Sequence, residues 1–403
     1  MSTTIGPRPS WSPANKLAEE YIAGELRRLG LPFERQGFSN PAWTLDEIHM
    51  TLAGREVEAL ANPFSTPCEV EAELVPVCTL AELETADLTG KIALLYGDLT
   101  RQPIAAKSWF LKEERDVRFY ELLEQKKPAA VLTVQFMPGS VNRLIEDQEF
   151  LLPSATLPNE SALFVFNRLD EPCCLSIQSR TEAGEAANLV ARIPGKRVEV
   201  IVLCAHFDTK IDTPGAGDNA GGVAAVLGLA EHFAGSAPHA GLEFIFFNNE
   251  EYLPIGDDAY MADVGEEHLK EILLAINYDG LGHKLASNTL AIFTCSEDFK
   301  SAVEQEKLKY PAVQWTDPWP QSNHSTFSWR GVPALAFSSQ ALIPYSHQRF
   351  DTADWINPAR VEEAVRLTAD IIKRIVDRPV EWLRPGNLSQ PSPEGEGKKL
   401  PSL

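Results

Sequence analysis

The chain predicts an α/β fold: a mostly parallel but mixed sheet sandwiched by helices, with a smaller β-rich insert in its first half. Three observations predict it. Apolar strand-like runs at 198–205, 242–247, 273–278 and 334–338 alternate with helical stretches at 221–233 and 358–376. Such alternation implies a largely parallel sheet covered on both faces. Residues 45–185 break that rhythm, with short apolar runs at 72–77, 92–96 and 129–134, turn-rich pieces and one charged helix near 112–125. Finally, histidines and carboxylates stand just past the later apolar runs, where open α/β sheets keep their sites.

The elements follow in order. Residues 1–11 read as a loose tail. Ser12 and Pro13 start a helix that runs to about residue 29, with the stripe Ala18, Ile22, Leu26, Leu29, and Gly30 ends it. The run V-I-V-L-C-A from Val200 has the character of a strand buried on both faces. The last helix has Asn357 as its N-cap, Pro358 in first position and the stripe Val361, Val365, Thr368, Ile372, Ile375. Beyond 380 the chain is rich in Pro, Gly, Ser and Glu, the composition of a disordered tail. The expected organisation is a tail and first helix at 1–50, the insert at 51–185, the main domain at 186–380 and a tail at 381–403.

At 403 residues and 44% hydrophobic content, the chain has room for two domains and a sizeable core. A net charge of −21 argues against a nucleic-acid partner and against an anionic membrane surface. None of the six cysteines forms a C-x-x-C pair, so a thiolate metal site is not expected. The first residues lack an apolar signal-like segment, and no apolar run approaches the roughly 18 residues of a membrane span. A cytoplasmic chain is therefore expected. Nothing in the sequence speaks to oligomeric state.

The chemistry-bearing residues come in a set. His206 and Asp208 form H-x-D at the end of one strand-like run. Asp218 opens D-N-A-G-G after a Gly/Pro-marked loop, Glu250-Glu251 follows the run L-E-F-I-F-F-N-N, Asp279 follows L-L-A-I-N-Y, and His347 lies in Y-S-H-Q-R-F-D-T. Taken singly, each has an ordinary reading. Asp218 could cap a helix, Asp279 before Gly280 could be a turn, and adjacent acids such as Glu19-Glu20 are usually solvated helix faces. Glu250-Glu251 differs because it ends a run too apolar for the surface. Burying two unpaired carboxylates costs several kcal/mol each, so a cation is expected beside them. Zinc takes about four ligands. Five nitrogen and oxygen ligands with one spare carboxylate therefore suit two divalent ions sharing a bridging group. Such a pair can polarise a carbonyl and lower the pKa of a water.

At these residues the chain resembles the di-zinc exopeptidases of clan MH, which include bacterial leucyl aminopeptidases, aminopeptidase Y and glutamate carboxypeptidase. The family's order is H-x-D, D-[ND]-x-x-G, E-E, a lone Asp after a strand, then a late His followed by D-T. All five elements occur here, ending with His347 and Asp351-Thr352. The resemblance covers about 186–378, and the helix near 13–29 resembles the family's opening helix. It implies two Zn2+ per chain: His206, Asp218 and Asp279 on one, Asp218, Glu251 and His347 on the other, with Asp218 shared. It implies Glu250 as the general base that takes the proton of the attacking water and passes it to the leaving amine. It also implies Asp208 as the group that orients His206, with Asp351 bracing the site near His347. The insert resembles the protease-associated domain that the family often carries between its first helix and the H-x-D strand.

Departures from the family pattern fall around the substrate. E-E-x-G-L-x-G-S is E-E-Y-L-P-I-G-D here, and S-D-H is Ser322-Asn323-His324. Ser346, rather than Tyr, directly precedes His347, so Tyr345 is the oxyanion candidate, with His324 and Arg349 as further substrate candidates. The activity this implies is hydrolysis of a peptide or small amide, foremost release of N-terminal residues. A carboxypeptidase or another amide hydrolase would use the same centre. A carboxypeptidase needs a cation for the substrate carboxylate, and Arg330 and Arg349 flank the late motifs. A non-catalytic scaffold on this fold would show broken ligand positions, whereas all five are present. The mixture of histidine and carboxylate suits zinc.

Overall fold

The computed structural model describes residues 1–109, 111–135, 139, 142–339 and 346–385. Among these, one sheet of ten strands carries the fold. Its centre is four parallel strands in the order Ala334–Ser338, Ile272–Tyr278, Val200–His206, Gly241–Phe247. Antiparallel neighbours complete it: Thr289–Phe293 on one side and Cys173–Ile193 on the other. The sheet is therefore mixed, with a parallel heart, as the strand–helix alternation implies.

Successive side chains of a strand face opposite ways, and Val200–His206 uses both faces. Ile201, Leu203 and Ala205 join a core cluster with Val226 and Leu229 of the helix Gly222–Phe233 and with Leu367 and Ile371 of the helix Pro358–Ile375. Val202 and Cys204 face the other way, into a cluster with Ile245, Phe247, Tyr260 and Phe327. Double coverage explains why this strand is an unbroken apolar run.

The insert builds a second, five-stranded sheet. Leu74–Val77, Ile92–Leu95, Ala130–Val134 and Ser154–Leu157 run parallel, and Leu60–Ala61 closes it antiparallel. The helices Leu80–Thr85, Glu114–Lys126 and Asn159–Phe166 accompany it. Two long strands, Phe33–Leu52 and Cys173–Ile193, pair antiparallel along nearly their whole length and carry the chain between the sheets. The second runs unbroken through residue 185. Sequence reasoning missed both strands, because their exposed reach mixes Glu, Arg and Thr with small residues and presents no sustained apolar run. It also missed the charged helices Ile255–Glu271 and Glu297–Lys307.

Both expected tails need correction. Residues 1–11 are not loose: Arg8 and Ser10 are buried and hydrogen-bonded to loops at the end of the parallel strands. The cause is long-range polar bonding, which no local pattern reveals. At the other end, residues 381–383 finish the short helix Val380–Leu383, where Leu383 is buried and its carbonyl accepts from the Ser296 amide. The rest of the expected tail, 386–403, lies outside the described residues. No helix among the described residues is long and apolar enough to cross a membrane.

Leu229 is fully buried where the helix Gly222–Phe233 meets sheet and C-terminal helix. Leu229→Ala should therefore cost about 2–5 kcal/mol of stability, read as a lowered denaturant midpoint in equilibrium unfolding.

Candidate metal centre

The strand ends deliver the candidate residues to one place. His206 is the last residue of Val200–His206. Glu250 and Glu251 follow Gly241–Phe247 after Asn248 and Asn249, where a positive φ at Asn249 (64°) turns the chain. Asp279 follows Ile272–Tyr278, and its amide bonds the Phe337 carbonyl of the neighbouring strand at 2.9 Å. Asp218 lies in a wide turn, 216–221, ahead of the helix Gly222–Phe233. Its neighbour Asn219 takes the capping role: its Oδ1 accepts from the Gly222 amide at 3.0 Å and its Nδ2 donates to the Tyr278 carbonyl at 2.7 Å. Asp218 is thereby left to face the site.

Two ligand groups result: His206, Asp218 and Asp279 in one, Asp218, Glu251 and His347 in the other. His206 Nε2 stands 3.2 Å from Asp218 Oδ1 and 3.5 Å from Asp279 Oδ1. His347 Nε2 stands 3.3 Å from Asp218 Oδ2 and 3.1 Å from Glu251 Oε2. The two oxygens of Asp218 thus face different histidines. Zinc bonds of about 2.0–2.1 Å at tetrahedral angles give edges of roughly 3.4 Å between ligand atoms, and these separations match that spacing. Both ring nitrogens of His206, Asp218 Oδ1 and Glu251 Oε1 are buried without a hydrogen-bond partner among the described residues. Buried polar atoms are ordinarily paired. Of these orphaned atoms, His206 Nε2 and Asp218 Oδ1 face each other at ligand spacing, which is what a divalent cation satisfies, and the two groups of ligand atoms fit a metal pair.

The surrounding shell holds the ligands from behind. Asp208 is fully buried; its two oxygens accept from the Glu250 and Glu251 amides, each at 3.2 Å, and Oδ1 lies 3.5 Å from His206 Nδ1. It ties one ligand strand to the other. Asp351 accepts from the Gly217 and Asp218 amides at 2.7 and 2.9 Å, fixing the backbone of the shared ligand. Burial, reinforced by the Asp218 charge, pushes the Asp351 carboxyl up to about 7. Burial likewise pushes Glu250 well above the usual carboxylate range; Asp279, Glu251 and Asp208 add to this, while His206 opposes it.

Sequence reasoning missed the N-terminal contribution. Arg8 Nε donates to the Phe207 carbonyl at 2.6 Å, and its terminal nitrogens donate to Pro214 and Gly215 at 2.8 and 2.9 Å. Burial lowers its pKa to about 10 against the support of Asp208, Asp351, Glu251 and Asp218, so it stays charged. Ser10 Oγ donates to Asn249 at 2.5 Å, and Asn15 exchanges hydrogen bonds of 3.0 and 2.9 Å with Asn248. Lys210 Nζ pairs with Glu146 of the insert at 2.6 Å, bonds the Glu251 carbonyl and sits 4.1 Å over the Tyr252 ring. The spacing R-P-S-W-S-P before the first helix carries no chemical signal in itself.

Neither of the two described substrate candidates belongs to the ligand groups. Tyr345 lies outside the described residues. Arg349 is exposed, with its guanidinium 5.1 Å from the Phe350 ring centre. His324 is fully buried and not in the ligand groups; its Nε2 donates to the Trp319 carbonyl at 2.8 Å, and its Nδ1 faces Asn277 Nδ2 at 3.4 Å.

A carboxylate–histidine centre at the C-terminal ends of a parallel sheet, with a further carboxylate alongside, defines a metal-dependent hydrolase. Residues 188–372, which carry this centre, match the model of peptidase family M28. Aminopeptidase YwaD of Bacillus subtilis is 23% identical over 94% of this chain and 83% of its own length. The probable lipoprotein aminopeptidase LpqL of Mycobacterium tuberculosis is 26% identical over 87% of this chain and 77% of its own. Among solved structures, a zinc aminopeptidase from Bacillus subtilis superposes with a TM-score of 0.77 at 20% identity, covering 95% of each chain. The M28 peptidase precursor of Shewanella amazonensis gives 0.78 at 20% identity, covering 96% of this chain and 93% of that one.

Burial lowers the His324 pKa to about 4, although the Trp319 carbonyl and Asp279 favour its charged form. In the unfolded chain the ring titrates near 6.5. The stability that depends on neutral His324 is therefore present above pH 6.5 and is lost as pH falls toward 4. At pH 5.5 the loss is about 1 kcal/mol. The thermal midpoint of His324→Gln should fall less between pH 7.5 and 5.5 than that of the wild type.

Proposed function

We propose that this metallopeptidase is a two-zinc aminopeptidase that releases N-terminal residues from peptides, with Glu250 as its general base. The observation that carries the proposal is Asp218, whose two oxygens face the two histidines of two ligand groups. One group is His206, Asp218 and Asp279; the other is Asp218, Glu251 and His347. Histidine and carboxylate donors suit zinc, and the relatives named as zinc aminopeptidases agree with that choice. Bound there, the ions supply Lewis acidity toward the scissile carbonyl and acidify a water.

The chain's own residues do the rest. Glu250 Oε2 lies 3.9 Å from His206 Nε2, beside the ligand groups. A carboxylate there takes the proton of the attacking water and returns it to the leaving amine. Glu250 and Glu251 are adjacent beyond a strand end, so their side chains diverge: one reaches the ligand group, the other stays free for the proton. Asp208 orients His206 and anchors both glutamate amides. The surplus of carboxylates at the centre favours a substrate with a free amine over one with a free carboxylate. The insert belongs to the same reading as a protease-associated domain, supported by its parallel strands and interleaved helices.

Metal analysis should find two zinc ions per chain; less than about one would favour a non-catalytic scaffold. Glu250→Gln should keep the wild-type zinc content and lose about 10²–10⁴-fold in kcat; persistent turnover would remove Glu250 from the base role. Between blocked dipeptides, the C-blocked one should be cleaved and the N-blocked one spared, with product release followed by chromatography. The reverse pattern would indicate a carboxypeptidase.

A further inference from the structure

Arg8 has no part in the reaction as described, yet it lies fully buried beneath the ligand loop. An arginine is almost never so buried unless its charge and donors are matched. Here the donors go to backbone carbonyls. Nε reaches Phe207, the residue after His206; Nη1 reaches Pro214 and Nη2 reaches Gly215, four and three residues before Asp218. The Arg8 amide adds a bond to Thr209 Oγ1 at 2.9 Å. Both ends of the loop between His206 and Asp218 are therefore held by one planar group. The packing leaves no slack: Gly215 has φ +61°, and a Cβ there would collide with Thr209 and the Asp218 carbonyl.

The anchor of Arg8 is itself fixed. Its carbonyl accepts from Asn15 Nδ2 at 3.0 Å, and Asn15 is bonded to Asn248, two residues before Glu250. The N-terminal segment thus spans from the loop carrying His206 and Asp218 to the turn carrying Glu250 and Glu251. The charge is apt as well. Asp208, Asp218, Glu251 and Asp351 all act on the guanidinium electrostatically.

We propose that Arg8 is a positioning residue of the metal centre. By stapling the Phe207, Pro214 and Gly215 carbonyls, it sets the separation of His206 and Asp218 and thereby the affinity for the ions these residues hold. The inference rests on the reading of the two ligand groups as zinc sites. It predicts that the N-terminal segment belongs to the metal-binding machinery although it contributes no ligand.

The test is zinc affinity, measured by competition with a chromophoric chelator, for wild type, Arg8→Lys and Arg8→Ala. Arg8→Ala should bind at least one ion about 10–100-fold more weakly. Arg8→Lys should fall between the two, because an ammonium is a point charge that cannot span three carbonyls. Methylguanidinium should restore zinc affinity to Arg8→Ala and leave the wild type unchanged, whereas a general loosening of the fold would not respond to it. If Arg8→Ala does not fold, Arg8→Lys decides alone: weakened zinc binding supports the role, and wild-type affinity overturns it. Wild-type affinity in Arg8→Ala overturns it equally, as does full affinity in the lysine variant beside loss in the alanine variant, since that leaves charge without stapling. A wild-type chain that binds no zinc overturns instead the reading of the centre itself, and this inference with it.

Discussion

Taking a carboxylate out of water costs several kcal/mol unless a charge or hydrogen bonds replace the lost hydration, and this fold brings Asp208, Asp218, Glu250, Glu251, Asp279 and Asp351 together at one end of its sheet. The arrangement of the centre follows from meeting that cost. Asp208 and Asp351 are met by backbone amides, two each. Asp218, Asp279 and Glu251 point toward histidine nitrogens at the spacing of atoms sharing an ion. Arg8 supplies a fixed positive charge from below. Burial, with Asp279, Glu251 and Asp208 nearby, holds Glu250 well above the usual carboxylate range.

The parallel heart of the sheet makes this convergence possible. Parallel strands end at the same edge, so the residues after Val200–His206, Gly241–Phe247 and Ile272–Tyr278 emerge side by side. The strands are rigid because they are covered on both faces, so ligand spacing is set by the strand spacing and by short, heavily bonded turns. Asn219, Asn248 and Asn249 pin those turns by bonding backbone and one another. Rigid elements for the ligands and polar staples for the loops serve the same end: they hold the ligand side chains where they converge.

Much of this was legible in the sequence, for identifiable reasons. The four central strands were readable because burial on both faces leaves an uninterrupted apolar run, and the helix Pro358–Ile375 was readable from its cap and stripe. The ligand set stood out because carboxylates directly after buried strands have no structural reason to be there. The long strands Phe33–Leu52 and Cys173–Ile193 were illegible because their exposed middle stretches, paired through the backbone, mix charged and small residues and leave no sustained apolar run. The N-terminal segment was misread as a tail because its order comes from polar bonds to residues some 200 positions away.

What the sequence by itself determined is the chemistry: which strands are buried, which side chains follow them, and that those side chains need a cation. Strand burial and the cost of buried charge are local properties, so they can be read residue by residue. Only the tertiary structure decided the geometry. It turned the two oxygens of Asp218 toward different histidines, gave the helix cap to Asn219, committed the ring of His324 to Trp319 and Asn277 away from the ligand groups, and drew Arg8 under the loop. These outcomes depend on directions and distances between segments remote in the chain, where hydrogen bonds demand alignment that composition and periodicity do not encode.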